Sequence, residues 1–213
     1  MHQKRGLFLT LEGVEGVGKS TNIEFIVQYL QEQGIEYVLT REPGGTHIAE
    51  SIRDLLLASN DETLDEMSEL LLVFAARAQH LEKVIKPALR EGKWVVCDRF
   101  TDATFAYQGA GRGLDCNTIT QLESMVQNDL RPDLTIILDL DPKIGMERAS
   151  QRGSLDRFEQ EKQSFFKKVR QGYLDIAAAE PERCQVIDAS KPLEQVKVEL
   201  LTALKQGLSR INN

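Results

Sequence analysis

Five short apolar runs alternate with stretches of helical periodicity, and this order predicts an α/β fold: a doubly wound parallel sheet of five strands with right-handed crossovers, flanked by helices. The second observation behind that prediction is Gly13-Val14-Glu15-Gly16-Val17-Gly18-Lys19-Ser20, which fits G-x-x-x-x-G-K-[ST] and works only between a strand and a helix. The third is Trp94-Val95-Val96-Cys97, an apolar run that leads directly into Asp98-Arg99-Phe100. A sheet of this kind binds ligands at the carboxyl edge of its strands.

The elements follow in chain order. Leu7 to Leu11 is a strand, and Thr21 to Leu30 a helix with apolar residues 23, 26, 27 and 30 on one face. The glycines between them let backbone N–H groups converge on an anion where a Cβ would intrude. Lys19 then reaches the β- and γ-phosphates of a nucleotide, and the Ser20 hydroxyl takes Mg²⁺. Gly34 caps the helix, Tyr37-Val38-Leu39 is a second strand, and Arg41-Glu42-Pro43-Gly44-Gly45-Thr46 is a loop at its carboxyl end. Ile48 to Leu57 is a helix carrying Arg53, and Ala58 to Thr63 a polar loop. A long helix from Glu66 to about Arg90 puts 67, 70, 71, 74 and 78 on its apolar face, with Phe74 and Arg77 as neighbours and a kink or end near Pro87.

Past the third strand, Asp98 occupies a Walker-B-type position, where its carboxylate serves a metal if this strand neighbours the first. Gly109-Ala110-Gly111-Arg112-Gly113 is expected to be a mobile loop bearing a cation. Asn117 to Gln127 is a helix, and Leu134 to Asp139 the clearest strand. Pro142 opens a helix that runs through Arg148 to Arg152, two cations on one face, and Gly153 stops it. Phe158 to Ala179 is helical, Gln185 to Asp188 is the last strand, and the closing helix has the stripe Leu193, Val196, Leu200, Leu204 and Leu208.

The length suits one domain with one sizeable core. A net charge of −7 argues against a general nucleic-acid or membrane-surface binder, so cations for an anionic ligand must be gathered locally. Cys97, Cys116 and Cys184 are odd in number and form no C-x-x-C, which suits a reducing cytoplasm better than a disulfide framework or zinc site. Neither a membrane span nor a secretory leader is expected, because the basic start is followed by only a short apolar run.

A phosphate loop alone fits a kinase, a switch GTPase or an ATP-driven module. The chain contains no N-K-x-D and no D-x-x-G after the third strand, which disfavours the GTPase. Arg53, Arg99, Arg148, Arg152 and Arg157 exceed what one triphosphate needs beside Lys19 and Mg²⁺, so a second phosphorylated substrate is expected. A monophosphate oxygen is largely anionic at neutral pH and needs no general base. Alternatives kept open at this point are kinases for nucleotides such as dUMP or CMP, and an ATP-binding regulatory module.

The motifs Gly13 to Thr21, Arg41 to Thr46, Asp98-Arg99-Phe100, Ala106-Tyr107-Gln108-Gly109, Gly111-Arg112-Gly113 and Leu155-Asp156-Arg157-Phe158-Glu159 together resemble bacterial thymidylate kinases, among the P-loop nucleoside monophosphate kinases. The likeness runs from Gly6 to about Ser190. It implies a P-loop kinase-type fold with a short lid at about 148–158, transfer of the γ-phosphate of ATP to dTMP with Mg²⁺, and a homodimer.

The same resemblance assigns roles. Gly13, Val14, Glu15, Gly16, Val17, Gly18, Lys19, Ser20 and Thr21 would hold ATP, with Arg148 and Arg152 from the lid, and Asp188, Ala189 and Ser190 beside the adenine. Lys19, Arg99, Arg148 and Arg152 would be the catalytic cations, and Gly16 fits the branch that keeps its catalytic Arg in the lid. Ser20 and Asp98 would serve the metal. Glu15 would touch the dTMP sugar, Arg53 and Arg99 its phosphate, Tyr107 would crowd the 2′ position, and Gln108 with Arg77 would read the thymine edge. Glu42, Pro43 and Thr104 complete the acceptor site. The aromatic that stacks on the base commonly lies four residues before the base-reading Arg; Val73 occupies that position, so Phe74, one later, takes the role.

Overall fold

Phe8–Glu12 (β1) consists entirely of buried residues, the pattern of a strand covered on both faces, and it lies at the centre of the sheet. The computed structural model describes residues 5–58, 62–151 and 156–212, of which the side chains at 208 and 210–212 are excepted. Tyr37–Arg41 (β2), Trp94–Asp98 (β3), Leu134–Asp139 (β4) and Cys184–Asp188 (β5) join β1 in the order β2-β3-β1-β4-β5, all parallel. Register puts Asp98 beside both Leu11 and Arg41, so the carboxylate that ends β3 emerges next to the loop that ends β1. The expected α/β sheet is therefore the observed one.

Helices Lys19–Glu32 (α1), His47–Leu57 (α2), Glu66–His80 (α3), Lys86–Arg90 (α4), Thr101–Thr104 (α5), Cys116–Gln127 (α6), Pro142–Ser150 (α7), Gln163–Ala179 (α8) and Leu193–Asn212 (α9) cover the two faces. The main core runs from β1 and β4 to α1, α8 and α9, and a smaller one from Phe8 and Phe100 to Leu81, Ile85 and Leu89. Thr46, Asp65, Asp115 and Asp141 cap α2, α3, α6 and α7 by accepting hydrogen bonds from first-turn N–H groups.

Four expectations are corrected. The single helix from 66 to 90 is broken by a π-helical turn, Leu81–Ile85, immediately before Lys86 and Pro87. Its buried face is also different: Met67 and Leu71 are exposed, whereas Glu69, Val73, Arg77 and His80 are buried, because the charged groups there find partners inside.

The Gly-rich stretch is not a loose loop either. Phe105–Gly111 is a π-helical segment packed on α8, where a Cβ at Gly172 would lie 2.8 Å from Ala110 Cβ and one at Gly111 2.6 Å from Phe165. Its glycines serve close helix contact, and Arg112 is held by Glu69 and Glu161. Finally, α8 starts at Gln163, later than Phe158. Residues 59–61, Arg152, Gly153, Leu155 and the Leu208 side chain lie outside the described residues.

Candidate active site

The loop from Gly13 to Gly18 turns through backbone that only glycine adopts readily, with φ of +135° at Gly13, +72° at Gly16 and +89° at Gly18. Gly16 also sits against α7: a Cβ there would lie 2.0 Å from the Gly145 carbonyl oxygen, and a Cβ at Gly145 would lie 2.3 Å from that of Glu15. Lys19 opens α1 and folds back over the loop, donating to the Gly13 and Val14 carbonyls at 3.3 Å each. Burial, with Arg99 nearby, lowers its pKa to about 8 against the pull of Asp98, Glu15 and Glu12. Backbone amides and one cation thus converge on the loop, an arrangement suited to an anion.

Arg99 follows β3 with φ +68°, the left-handed region that is uncommon for a side chain other than glycine. The conformation is held on every side: Arg99 N–H donates to Leu11 O at 3.0 Å, Cys97 Sγ donates to Arg99 O at 3.0 Å, and Phe100 N–H donates to Glu12 at 2.7 Å. The guanidinium then points into the site, donating to Glu15 at 2.7 Å, Tyr107 Oη at 2.9 Å and Tyr173 Oη at 3.3 Å. Tyr107 in turn donates to Glu15. Three residues with separate expected contacts on the acceptor thus form one cluster.

Arg77 enters from α3. Its Nε donates to Glu42 at 2.7 Å and its Nη2 to Thr104 Oγ1 at 2.9 Å and Phe100 O at 3.2 Å, while Nη1 is buried without a partner. Glu42 also accepts from His80 Nδ1 at 2.9 Å, and Arg53 donates to Pro43 O at 3.0 Å. A buried donor left open is costly unless a ligand accepts from it.

These parts surround one cavity of about 460 Å³. It is lined by Glu15, Gly16, Val17, Gly18, Lys19, Ser20 and Thr21 on the loop side, and by Glu42, Pro43, Arg53, Arg77, Asp98, Arg99, Thr104, Tyr107, Gln108 and Arg148 elsewhere. Most residues singled out from the sequence therefore share a wall. Asp98 Oδ1 is buried with no partner and Ser20 lines the same cavity, which fits a hard cation held by few protein oxygens and completed by phosphate and water. Among the described residues no cluster of three or more His, Cys, Asp or Glu could hold a metal by itself.

A family model described as thymidylate kinase matches residues 11–200. The thymidylate kinase of Pseudomonas savastanoi pv. phaseolicola is 59% identical over 203 residues, covering 95% of this chain and 97% of the relative. That of Teredinibacter turnerae is 55% identical, covering 95% and 99%. The chain belongs to the thymidylate kinase family. The crystal structure of thymidylate kinase from Ehrlichia chaffeensis superposes with a TM-score of 0.76 at 40% identity, covering 94% of this chain and 99% of that one. The protein is accordingly a kinase that phosphorylates dTMP to dTDP, and the family implies ATP as the donor.

Set on the scaffold of a thymidylate kinase, some expected residues lie elsewhere. Phe74 does not line the cavity: it is 2% exposed, packed with Leu70 and Ile119, and its ring lies 4.8 Å beneath the Arg77 guanidinium carbon. A residue three before Arg77 on a helix supports that side chain from the core, whereas Val73, four before, reaches the wall. Phe100 lines the cavity as well.

Gly13 and Val14, at the start of the loop, and Asp188, Ala189 and Ser190, at the end of β5, do not line this cavity. Arg157, counted among the phosphate cations, is committed to Glu69 at 2.7 Å and the Leu56 carbonyl at 2.8 Å. Arg152 lies outside the described residues.

Sequence reasoning missed Glu12, Glu69, His80 and Tyr173, the buried groups that hold Arg99, Gln108 and Glu42 in place. For α3 a signal existed: Glu69, Val73, Arg77 and His80 share one helical face, so charge fell on the stripe that packs inward.

Proposed function

We propose that the cavity takes dTMP and the phosphates of ATP end to end, with Arg99 and Arg53 on the acceptor phosphate and Lys19 with the loop amides on the donor. The observation that carries this reading is a pair of unmet polar atoms on residues that line the cavity, Arg77 Nη1, assigned to the base end, and Asp98 Oδ1, assigned to the phosphate end. Asp98 and Ser20 would hold Mg²⁺, which when bound neutralises charge on the donor phosphates. Glu15 and Tyr107 bound the sugar, Thr104, Glu42 and Pro43 keep Arg77 and Arg53 in place, and Gln108 with Arg77 meets the pyrimidine edge. Arg148 on α7 and Arg152 belong to a lid at about 148–158 in one domain, and Asp188 to Ser190 border the adenine.

The chemistry needs little beyond this. The acceptor oxygen is already an anion, so the residues align it, spread its charge over guanidinium groups and keep water away. Release of ADP with dTMP, dUMP, dGMP, CMP and AMP as acceptors tests the reading: turnover should be fastest with dTMP. Equal rates across the set would refute the base contacts, and no rate with any would refute the site.

The second copy of a homodimer would cover Ile48 and Leu55 of α2 with Met67 and Leu71 of α3, which are all exposed. Sedimentation should give a dimer, and Leu71→Glu should weaken it. A monomer at all concentrations would refute this surface.

A further inference from the structure

We infer that Glu69 sets the preference for a keto pyrimidine from behind the cavity wall, by fixing which atom of the Gln108 amide faces the base. This rests on the reading that Gln108 and Arg77 meet the pyrimidine edge.

Glu69 lies on α3 with its side chain 1% exposed, and it is the hub of four hydrogen bonds. Oε1 accepts from Gln108 Nε2 at 2.8 Å and Arg112 Nε at 3.3 Å, and Oε2 from Arg157 Nη2 at 2.7 Å and Arg112 Nη2 at 3.2 Å. A carboxylate so placed can only accept. The NH₂ of Gln108 must therefore face inward to Glu69, and its Oε1, with no partner among the described residues, is the amide atom left for the cavity that Gln108 lines.

A side-chain amide has nearly the same shape in either orientation, so nothing in Gln108 itself selects between them. Glu69 does. With it in place the wall offers an acceptor, Gln108 Oε1, and an open donor, Arg77 Nη1. Thymine and uracil bring the complement, an N3–H and an O4 carbonyl. Cytosine brings an N3 lone pair and an amino group and is mismatched at both atoms. Glu69 touches no substrate; it is a positioning residue.

Glu69→Gln reverses the logic with little change in shape. The two guanidinium groups at Oε2 retain the amide oxygen, so the new NH₂ falls where Oε1 was and faces Gln108, giving up the longer 3.3 Å bond from Arg112 Nε. Gln108 then turns over to accept from it and presents its own NH₂ to the base, a donor suited to cytosine N3.

The test compares kcat/KM for dTMP and dCMP in the wild type, Glu69→Gln, Gln108→Leu and the double variant. The dTMP:dCMP ratio should fall about ten- to a hundredfold in Glu69→Gln, the cost of one mispaired buried polar group, and Glu69→Gln should change nothing further in the Gln108→Leu background. An unchanged ratio with both rates lowered would overturn the proposal, as would an equal fall in both backgrounds. A ratio indifferent to Gln108→Leu itself would instead refute the placement of the base. A wild-type measurement stands independently of how well the variant folds: the Gln108 NH₂ protons, buried against Glu69, should exchange slowly with solvent, and free exchange would overturn the assignment.

Discussion

Replacing Gly145 by Ala gives opposite results according to whether helix or site decides. In the middle of α7, Gly→Ala should stabilise by about 1 kcal/mol through propensity alone. The structure reverses the sign. The added Cβ would lie 2.3 Å from the Glu15 carbonyl oxygen, and ordinary contact begins at 3.4 Å, so helix and loop must part by about 1 Å. Both partners are backbone, and no flexible side chain can give way. Overpacking of this kind typically costs about 1–3 kcal/mol, which matches or exceeds the propensity gain. The net loss of up to about 2 kcal/mol lowers the melting temperature by up to a few degrees, at about 2–4 °C per kcal/mol for a chain of this size.

The displaced atoms belong to the loop proposed to hold the donor phosphates and to the helix that carries Arg148, so activity should suffer more than stability. A misplacement of about 1 Å in such a site can cost about a hundredfold in rate. The assay is calorimetry beside initial rates with ATP varied at saturating dTMP, and then the converse. Expected are a lower melting temperature, a large loss in kcat/KM for ATP and a smaller one for dTMP. A variant as stable as the wild type, with ATP kinetics unchanged, would show that α7 and the loop are not locked together.

Two further variants follow from the buried groups behind Arg99. Burial, reinforced by Asp102, raises the Glu12 pKa from 4.5 to about 8, so between those values the folded state retains a proton that the unfolded chain has lost. Stability should therefore fall as pH rises from 4.5 to 8 and level off above, with Glu12 contributing at most about 1.4 kcal/mol per pH unit. Glu12→Gln should flatten that fall in melting temperature measured from pH 5 to 8, and an identical slope in the variant would rule out Glu12 as its source. Tyr107→Phe keeps the ring proposed to border the sugar and removes the hydroxyl between Glu15 and Arg99. The KM for dTMP should rise about tenfold, the scale of one hydrogen bond to a charged group, while the preference for deoxyribose stays. A lost sugar preference at unchanged KM would reverse these roles.

The strand–loop–helix around Gly13 to Ser20, the five parallel strands and the Asp at the end of β3 were legible in the sequence, because each is written in local periodicity or a contiguous motif. The role of the loop glycines is equally local, since the conformation they permit is a property of the residue itself. What the sequence could not disclose is which charges are neutralised by residues far along the chain. Arg112 and Arg157 read as free cations, yet both end on Glu69, 43 and 88 positions earlier. Met67 and Leu71 read as core, yet they face out because Arg77 and His80 share Glu42 inside. Phe74 and Val73 differ by one residue, and only the rotation of α3 against the sheet decided which meets the cavity. Backbone preference and motif spacing are local and travel with the chain; ion pairing and the phase of a helix are set by packing, and packing exists only in three dimensions.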